Sequence, residues 1–179
     1  MGKLTVAEAL IKITDFRLFH NHLTIDLARE IYPDFKDKRW DLTDKLRMEV
    51  FESASTNNVN LIFTFVNHNN AWDKRFVHAV VDVVSSHNGI VHFVQLIAPI
   101  NVLLERVSNK SRSRYHKISD PRLLHTELRK RELNPKLPYG QALELETSEL
   151  LPNAAATRIA DYFGLRKTIE TARSSFNDK

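Results

Sequence analysis

The first residues of the chain combine a glycine, a lysine and a hydroxyl side chain where a helix is predicted to begin. They are Gly2, Lys3, Leu4 and Thr5, and apolar residues recur at helical spacing after them. The N-terminus of a helix presents backbone N–H groups that bind anions, and a lysine at that end can reach the oxygens of a phosphate chain. Four residues are a short motif, and an ordinary basic N-terminus is the alternative interpretation.

A second group of polar side chains follows the first predicted strand, at residues 15–20. His20, Asn21 and His22 lie at its carboxyl end, the edge where open α/β sheets bind ligands. These side chains could contact a substrate, bind a metal through the two imidazoles, or serve in helix capping and structural hydrogen bonds. No third residue at ligand spacing favours the metal. Asp26, in the next predicted helix, is the carboxylate best placed to activate a hydroxyl group.

A third candidate is the basic segment at residues 106–136. It holds ten lysines and arginines against three acidic residues, a local surplus of +7 that leaves −3 for the rest of a chain with net charge +4. An anionic partner should therefore meet this segment. Arg112 and Arg114 lie within it, next to a stretch rich in serine and asparagine. A solvated surface and a nucleic-acid site are two interpretations, although Tyr115 is the one aromatic residue available there for stacking on bases.

The elements that must position these residues alternate along the chain. Apolar runs rich in β-branched and aromatic residues predict buried strands at 59–66 and 90–97, and shorter runs predict strands at 16–20 and 142–146. Apolar residues at helical spacing predict helices at about 4–13, 24–31, 42–56, 71–86, 99–107, after Pro121, and 152–163 with an end at Gly164. This alternation predicts an α/β fold, a parallel sheet with helices on both faces. Such a domain normally begins with a strand, whereas this chain begins with a helix.

Two local predictions concern the region before the second strand. Residues 32–39 are predicted to form a charged loop. The helix that follows is predicted to bury one face formed by Leu46, Val50, Phe51 and Ala54.

Taken together, these elements resemble the small P-loop kinases described as AAA-type or shikimate-kinase-like. Gly2-Lys3-Leu4-Thr5 is similar to the end of the G-x-x-x-x-G-K-[ST] loop, and the segments at 16–26, 61–66 and 92–96 resemble the elements that follow it. The resemblance runs from residue 2 to residue 163. It implies a three-layer P-loop NTPase fold, with one domain over 1–165, a lid at about 106–136, and a polar tail at 166–179.

The sequence departs from the P-loop pattern at three points. The first strand and most of the phosphate-binding loop that should precede Gly2 are absent, which a start site assigned inside the reading frame or a degenerate family member would explain. Leu4 occupies the position of the magnesium-binding Ser or Thr, so Thr5 stands one residue late for that role. The strand at 59–66 also ends without a carboxylate, and Asp73 is predicted to start or flank the next helix.

The resemblance implies ATP-dependent phosphoryl transfer to a small-molecule acceptor, with ATP and Mg²⁺ as cofactors. It implies that the phosphates are bound by Gly2, Lys3, Leu4 and Thr5, and that Thr5 also binds the metal. The catalytic residues that it implies are Lys3, Arg112, Arg114 and Asp26. The residues that it places on the acceptor are His20, Asn21 and His22. A catalytically inactive binding protein with the same fold is the first alternative. A nucleic-acid-binding protein that uses the basic segment is the second.

Composition excludes several other classes of protein. The chain has 179 residues, 42% of them hydrophobic, which suits one globular domain. The lack of cysteine excludes disulfide scaffolds and thiolate metal sites. The apolar run at 61–66 is far shorter than the ~20 residues of a membrane span, and the N-terminus lacks the features of a signal peptide. A cytoplasmic protein that acts without a membrane is therefore expected.

Overall fold

The computed structural model describes residues 2–107, 120–129 and 142–165. In order, its helices and strands are α1 (Lys3–Leu10), β1 (Arg17–His20), α2 (His22–Ile31), α3 (Lys36–Thr56), β2 (Leu61–Thr64), α4 (Ala71–Ser86), β3 (Val94–Ile97), α5 (Ile100–Val107), α6 (Pro121–Arg129), β4 (Leu143–Glu146) and α7 (Pro152–Phe163). Among these helices, none is long and apolar enough to cross a membrane. The α/β alternation predicted from the sequence is confirmed.

The four strands form two separate parallel pairs. β1 pairs with β2 in a register that sets Arg17 opposite Leu61, and β3 pairs with β4 in a register that sets Val94 opposite Leu143. The parallel direction follows from the helices between successive strands, because a helix returns the chain to the end of the sheet at which it started. Among the described residues, the predicted parallel strands are therefore divided into two pairs.

A cavity of about 2370 Å³, which we call the central slot, lies between the two strand pairs. All four residues of β2 line one part of it, and Val94, Gln95 and Leu96 of β3 line another. Among the described residues, β2 pairs only with β1, and β3 pairs only with β4. The second edge of each of these two strands therefore has no strand partner in the described structure.

Each strand pair has its own hydrophobic core. Beside β1 and β2, aromatic rings pack edge-on and tilted, with the Phe19 and Phe51 centroids 5.6 Å apart and those of Phe51 and Phe63 5.2 Å apart. Beside β3 and β4, α1 packs on α7 through small and aliphatic side chains. That second core consists of Val6, Ala9, Leu10, Leu96, Leu145, Ala155, Ala156, Ile159 and Ala160. Its four alanines allow α1 and α7 to approach closely.

The region before β2 differs from its prediction in two ways. α3 begins at Lys36, so the second half of the predicted loop at 32–39 is helical. Its buried residues are Thr43, Arg47 and Phe51, and of the predicted apolar face only Phe51 is among them. These three residues are spaced four apart and thus share one side of the helix. An arginine therefore occupies the center of the buried side of α3.

Candidate active site in the central slot

The residues at the start of the chain form the first turn of α1 and line the central slot. Gly2 precedes the helix, and its carbonyl accepts a 2.9 Å hydrogen bond from the backbone N–H of Val6. A Cβ added at Gly2 would lie 3.9 Å from the Thr5 Cβ, an ordinary contact. Packing in the described structure therefore does not demand a glycine here. Lys3 and Leu4 line the slot beside Gly2 and Thr5, so this helix end faces the cavity.

Magnesium would find few protein ligands at this end of the slot. Thr5 is exposed and offers one hydroxyl group. Within the described ranges, no cluster of three histidine, aspartate or glutamate side chains could hold a metal ion. Protein-bound Mg²⁺ normally takes one or two carboxylates in addition to phosphate oxygens. The described residues therefore fit a phosphate group better than they fit the metal.

His20, Asn21 and His22 join the end of β1 to the start of α2, and all three line the central slot. The backbone N–H of Asn21 donates a 3.2 Å hydrogen bond to Thr64 Oγ1, which ties the carboxyl ends of β1 and β2 together. The Asn21 carbonyl accepts a 3.3 Å hydrogen bond from Thr24 Oγ1. Asn21 occupies the N-cap position of α2, but its side chain makes no capping hydrogen bond. Its amide is oriented by another residue.

That residue is Arg47, which sequence analysis did not single out. Arg47 is 1% exposed and donates hydrogen bonds from Nη2 to Asn21 Oδ1 and from Nη1 to Asp44 Oδ1, the second at 3.3 Å. Its guanidinium carbon lies 5.9 Å from the centroid of the Phe63 ring and 5.5 Å from that of Phe76. One feature of the sequence could have indicated its burial: Arg47 lies four residues after Thr43 and four before Phe51, on the same side of the helix.

Burial and charge act on Arg47 in opposite directions. Burial lowers the pKa of the Arg47 guanidinium, whereas the carboxylates of Asp44 and Asp73 raise it. Burial also raises the pKa of the Asp44 carboxyl, against the lowering effects of Arg47 and of a 3.0 Å hydrogen bond from Trp72 Nε1. One cation and two carboxylates thus share a largely dry site beside Asn21.

The loop after β2 forms the neighbouring wall of the slot. Asp73, in the first turn of α4, is 1% exposed and accepts a hydrogen bond from the backbone N–H of His68. The Asn70 side chain caps α4 by accepting a 2.8 Å hydrogen bond from the Asp73 N–H. Asn67 Oδ1 accepts a 2.9 Å hydrogen bond from the N–H of Asn69, whose φ of 54° is left-handed. These contacts hold the loop in a fixed turn at the carboxyl edge.

Asp26 lies one turn further along α2 than His22. Its carboxylate accepts a 2.8 Å hydrogen bond from Arg29 Nη1 and lies 3.6 Å from His22 Nδ1. Asp26 is not among the residues that line the central slot, whereas His22 is. The structure therefore places a histidine between this carboxylate and the cavity.

Most of the basic segment at 106–136, including Arg112 and Arg114, lies outside the described residues. Arg106 is described, and its Nη2 donates hydrogen bonds of 2.7 and 2.6 Å to the carbonyls of Thr147 and Ser148. These bonds tie the end of α5 to the turn after β4. Arg106 thus fixes the fold at this end of the slot.

The sequence matches no known family profile and no curated protein sequence. Its fold is similar to that of a tunicamycin resistance protein from Deinococcus radiodurans, at 22% identity over 89% of this chain and 90% of that one, with a TM-score of 0.58. A sugar kinase from a Janibacter species matches at 17% identity over 92% and 88% of the two chains, with a TM-score of 0.60. A candidate kinase from Chloroflexus aurantiacus matches at 16% identity over 89% and 91%, with a TM-score of 0.60. The chain therefore has an α/β fold that is shared with solved structures of proteins named as kinases.

Proposed function

We propose that this protein is an ATP-dependent kinase that phosphorylates a small molecule in the central slot. One observation carries the proposal: the Gly2–Thr5 helix end and the His20-Asn21-His22 group, which are distant in sequence, line one cavity. A phosphoryl donor and its acceptor need such a shared cavity. The two structural neighbours named as kinases support the same reading of the fold.

The phosphate end of the site would be formed by α1. Lys3 would contact the β- and γ-phosphate oxygens of ATP, and the backbone N–H groups around Gly2 and Leu4 would bind the phosphate chain. Mg²⁺, contacted by Thr5, would neutralise charge on the phosphates when bound. Arg112 and Arg114 would close over the transferred group as part of the lid and stabilise its charge.

At the acceptor end, His20, Asn21 and His22 would contact the small molecule. Because His22 lines the slot and Asp26 does not, we infer that His22 takes the proton of the acceptor hydroxyl as that oxygen bonds to the γ-phosphorus. Asp26, at 3.6 Å from His22 Nδ1, would stabilise the resulting imidazolium. ADP leaves, and His22 then releases the proton to water.

We further propose that a parallel strand encoded upstream of Met1 fills only the part of the central slot between β2 and β3 and supplies the rest of the phosphate-binding loop. The end of the slot beside Gly2–Thr5 and His20-Asn21-His22 would stay open to the substrates. Buried backbone N–H and C=O groups normally have hydrogen-bond partners, and neighbouring strands lie about 4.8 Å apart. A strand in the slot would supply partners to the second edges of both β2 and β3. It would also lead directly into α1, whose first turn faces the slot.

The test begins with the codons upstream of Met1. We expect an in-frame segment that encodes an apolar strand and a glycine-rich loop. Hydrogen exchange should then show that the amides of β2 and β3 become more protected in the extended chain than in the 179-residue chain, while those of α4 change little. A stop codon directly before Met1 would contradict the added strand and favour the inactive binding protein.

A further inference from the structure

We propose that Arg47 fixes the chemistry of the acceptor site by turning the amide NH₂ group of Asn21 toward the central slot, so that the site selects an uncharged, polyhydroxylated acceptor over an anionic one. This inference rests on the proposed kinase function, because it concerns the acceptor of that reaction. Three features of the structure support the inference. They are the orientation of the Asn21 amide, the charge of the cluster formed by Arg47, Asp44 and Asp73, and the side chains that line the slot beside Asn21.

The orientation follows from the hydrogen-bonding capacity of Arg47. A guanidinium donates and never accepts, so the Asn21 atom that it contacts must be the carbonyl oxygen Oδ1. The amide nitrogen Nδ2 then has two N–H donors. Neither donates a hydrogen bond to another residue within residues 2–107, 120–129 and 142–165. The backbone of Asn21 is bonded to Thr64 and Thr24, so the residue is held at three points. The site thus offers donors to an oxygen of the acceptor.

The charge behind Asn21 disfavours an anion. The cluster holds one arginine and two aspartates, Asp44 and Asp73, so its formal charge is −1 when all three side chains are ionised. The guanidinium is already engaged with Asn21, Asp44 and two aromatic rings. These hydrogen bonds use two of its five N–H groups, and Arg47 is 1% exposed, so the guanidinium has little free surface for the bidentate pair by which arginine binds a carboxylate. The buried arginine therefore does not serve as an anion receptor.

Neutral polar and aromatic side chains complete the wall. Asn67 and Asn70 line the slot after β2 and can exchange hydrogen bonds with hydroxyl groups. Trp40 and Trp72 line the same slot, and Trp72 is held by stacking on Phe76 at a centroid distance of 5.5 Å. An aromatic surface packs against the C–H face of a sugar-like molecule while a few placed polar groups orient its hydroxyls. This combination fits a polyhydroxylated compound without charge.

A matched pair of probes tests the inference without turnover. The ¹⁵N-labelled 179-residue chain is titrated with glucose and with glucuronate, which differ in one carboxylate, and the side-chain NH₂ signals of Asn21 are followed by NMR. We expect glucose to shift these signals saturably and glucuronate to bind at least about tenfold more weakly, because like charges repel. Equal or tighter binding of glucuronate, or no shift of the Asn21 signals by either sugar, would overturn the inference.

The variant Asn21→Asp lacks the side-chain NH₂ group, so its spectrum identifies the NH₂ signals of Asn21. The same variant also provides a second test of the inference. It keeps the shape of the side chain and pairs a carboxylate with Arg47, so we expect a folded protein that binds glucose about tenfold or more weakly. Asn57→Asp, at the exposed end of α3, is the control and should bind glucose like wild type. Retained glucose affinity in Asn21→Asp would also overturn the inference. The binding experiment contains no ATP, so its outcome does not depend on turnover. If it gives the expected pattern and the extended chain shows no phosphoryl transfer in a separate assay with ATP, the kinase function alone would be refuted.

Discussion

The indole N–H of Trp72 donates a 3.0 Å hydrogen bond to Asp44 Oδ2, which joins α4 to α3 beside the buried Arg47. The other oxygen of Asp44 lies 3.3 Å from Arg47 Nη1, and Arg47 in turn holds Asn21 at the end of β1. Three elements that line the slot are thereby connected through one polar network. Its members depend on one another, because a buried charge without its partners is costly.

The first prediction concerns pH. Burial raises the pKa of Asp44 above its usual value of 3.8, so the folded chain binds this proton more tightly than the unfolded chain does. The contribution of Asp44 to the free energy of unfolding therefore falls as pH rises from 3.8 through the raised pKa. Asp44→Asn cannot titrate. We expect the free energy of unfolding of wild type minus that of this variant to be greater at about pH 3.5 than at pH 7, as measured by urea unfolding. A difference that grows with pH would contradict this prediction.

The second prediction concerns the buried cation. Arg47→Met should lower the free energy of unfolding by about 3–5 kcal/mol, because it leaves the Asp44 and Asp73 carboxylates beside a buried site without their cation. Lys45→Met is the matched control on the same helix. It breaks a 2.8 Å ion pair with Asp41 whose two side chains are 72% and 66% exposed, and it should change stability little. Chemical denaturation measures the free energy of unfolding of both variants. Equal decreases would show that Arg47 does not act as the buried cation of Asp44 and Asp73.

The third prediction concerns ATP. If residues 2–5 are the end of a phosphate-binding loop, as proposed, the 179-residue chain should bind ATP weakly or not at all by calorimetry, because the rest of that loop would be missing. Restoring the upstream segment should recover binding. In that longer form, Lys3→Ala should abolish turnover, since the ammonium group would no longer reach the phosphate oxygens. Micromolar affinity in the 179-residue chain would count against a missing segment.

The fourth prediction separates a kinase lid from a nucleic-acid surface. Arg112→Ala or Arg114→Ala in the restored protein should lower kcat by orders of magnitude, whereas Lys130→Ala and Arg131→Ala should have little effect. All four residues lie outside the described part of the chain. A nucleic-acid surface would instead lose affinity by a similar modest factor at each position, with a steep dependence on salt. Equal losses without a selective defect in kcat would favour that alternative.

Local patterns in the sequence determined where most helices and strands lie. α4 and α7 have the predicted bounds, since Asn70 caps the first and Gly164, with φ of 66°, ends the second. The four strands fall within the predicted runs but are shorter, because a strand ends where its neighbour no longer offers hydrogen bonds. Parallel pairing also followed from the sequence, through the alternation of strands and helices.

Only the tertiary structure decided which side chains meet in the slot. Arg47 is buried by Asn21, 26 positions away in sequence, and by the rings of Phe63 and Phe76, and no local pattern reports such distant partners. The sequence placed Asp26 near the acceptor by position, whereas the fold sets His22 between that carboxylate and the cavity. Charge type and spacing are local properties of a chain, but the burial and pairing of a charge depend on every element packed around it.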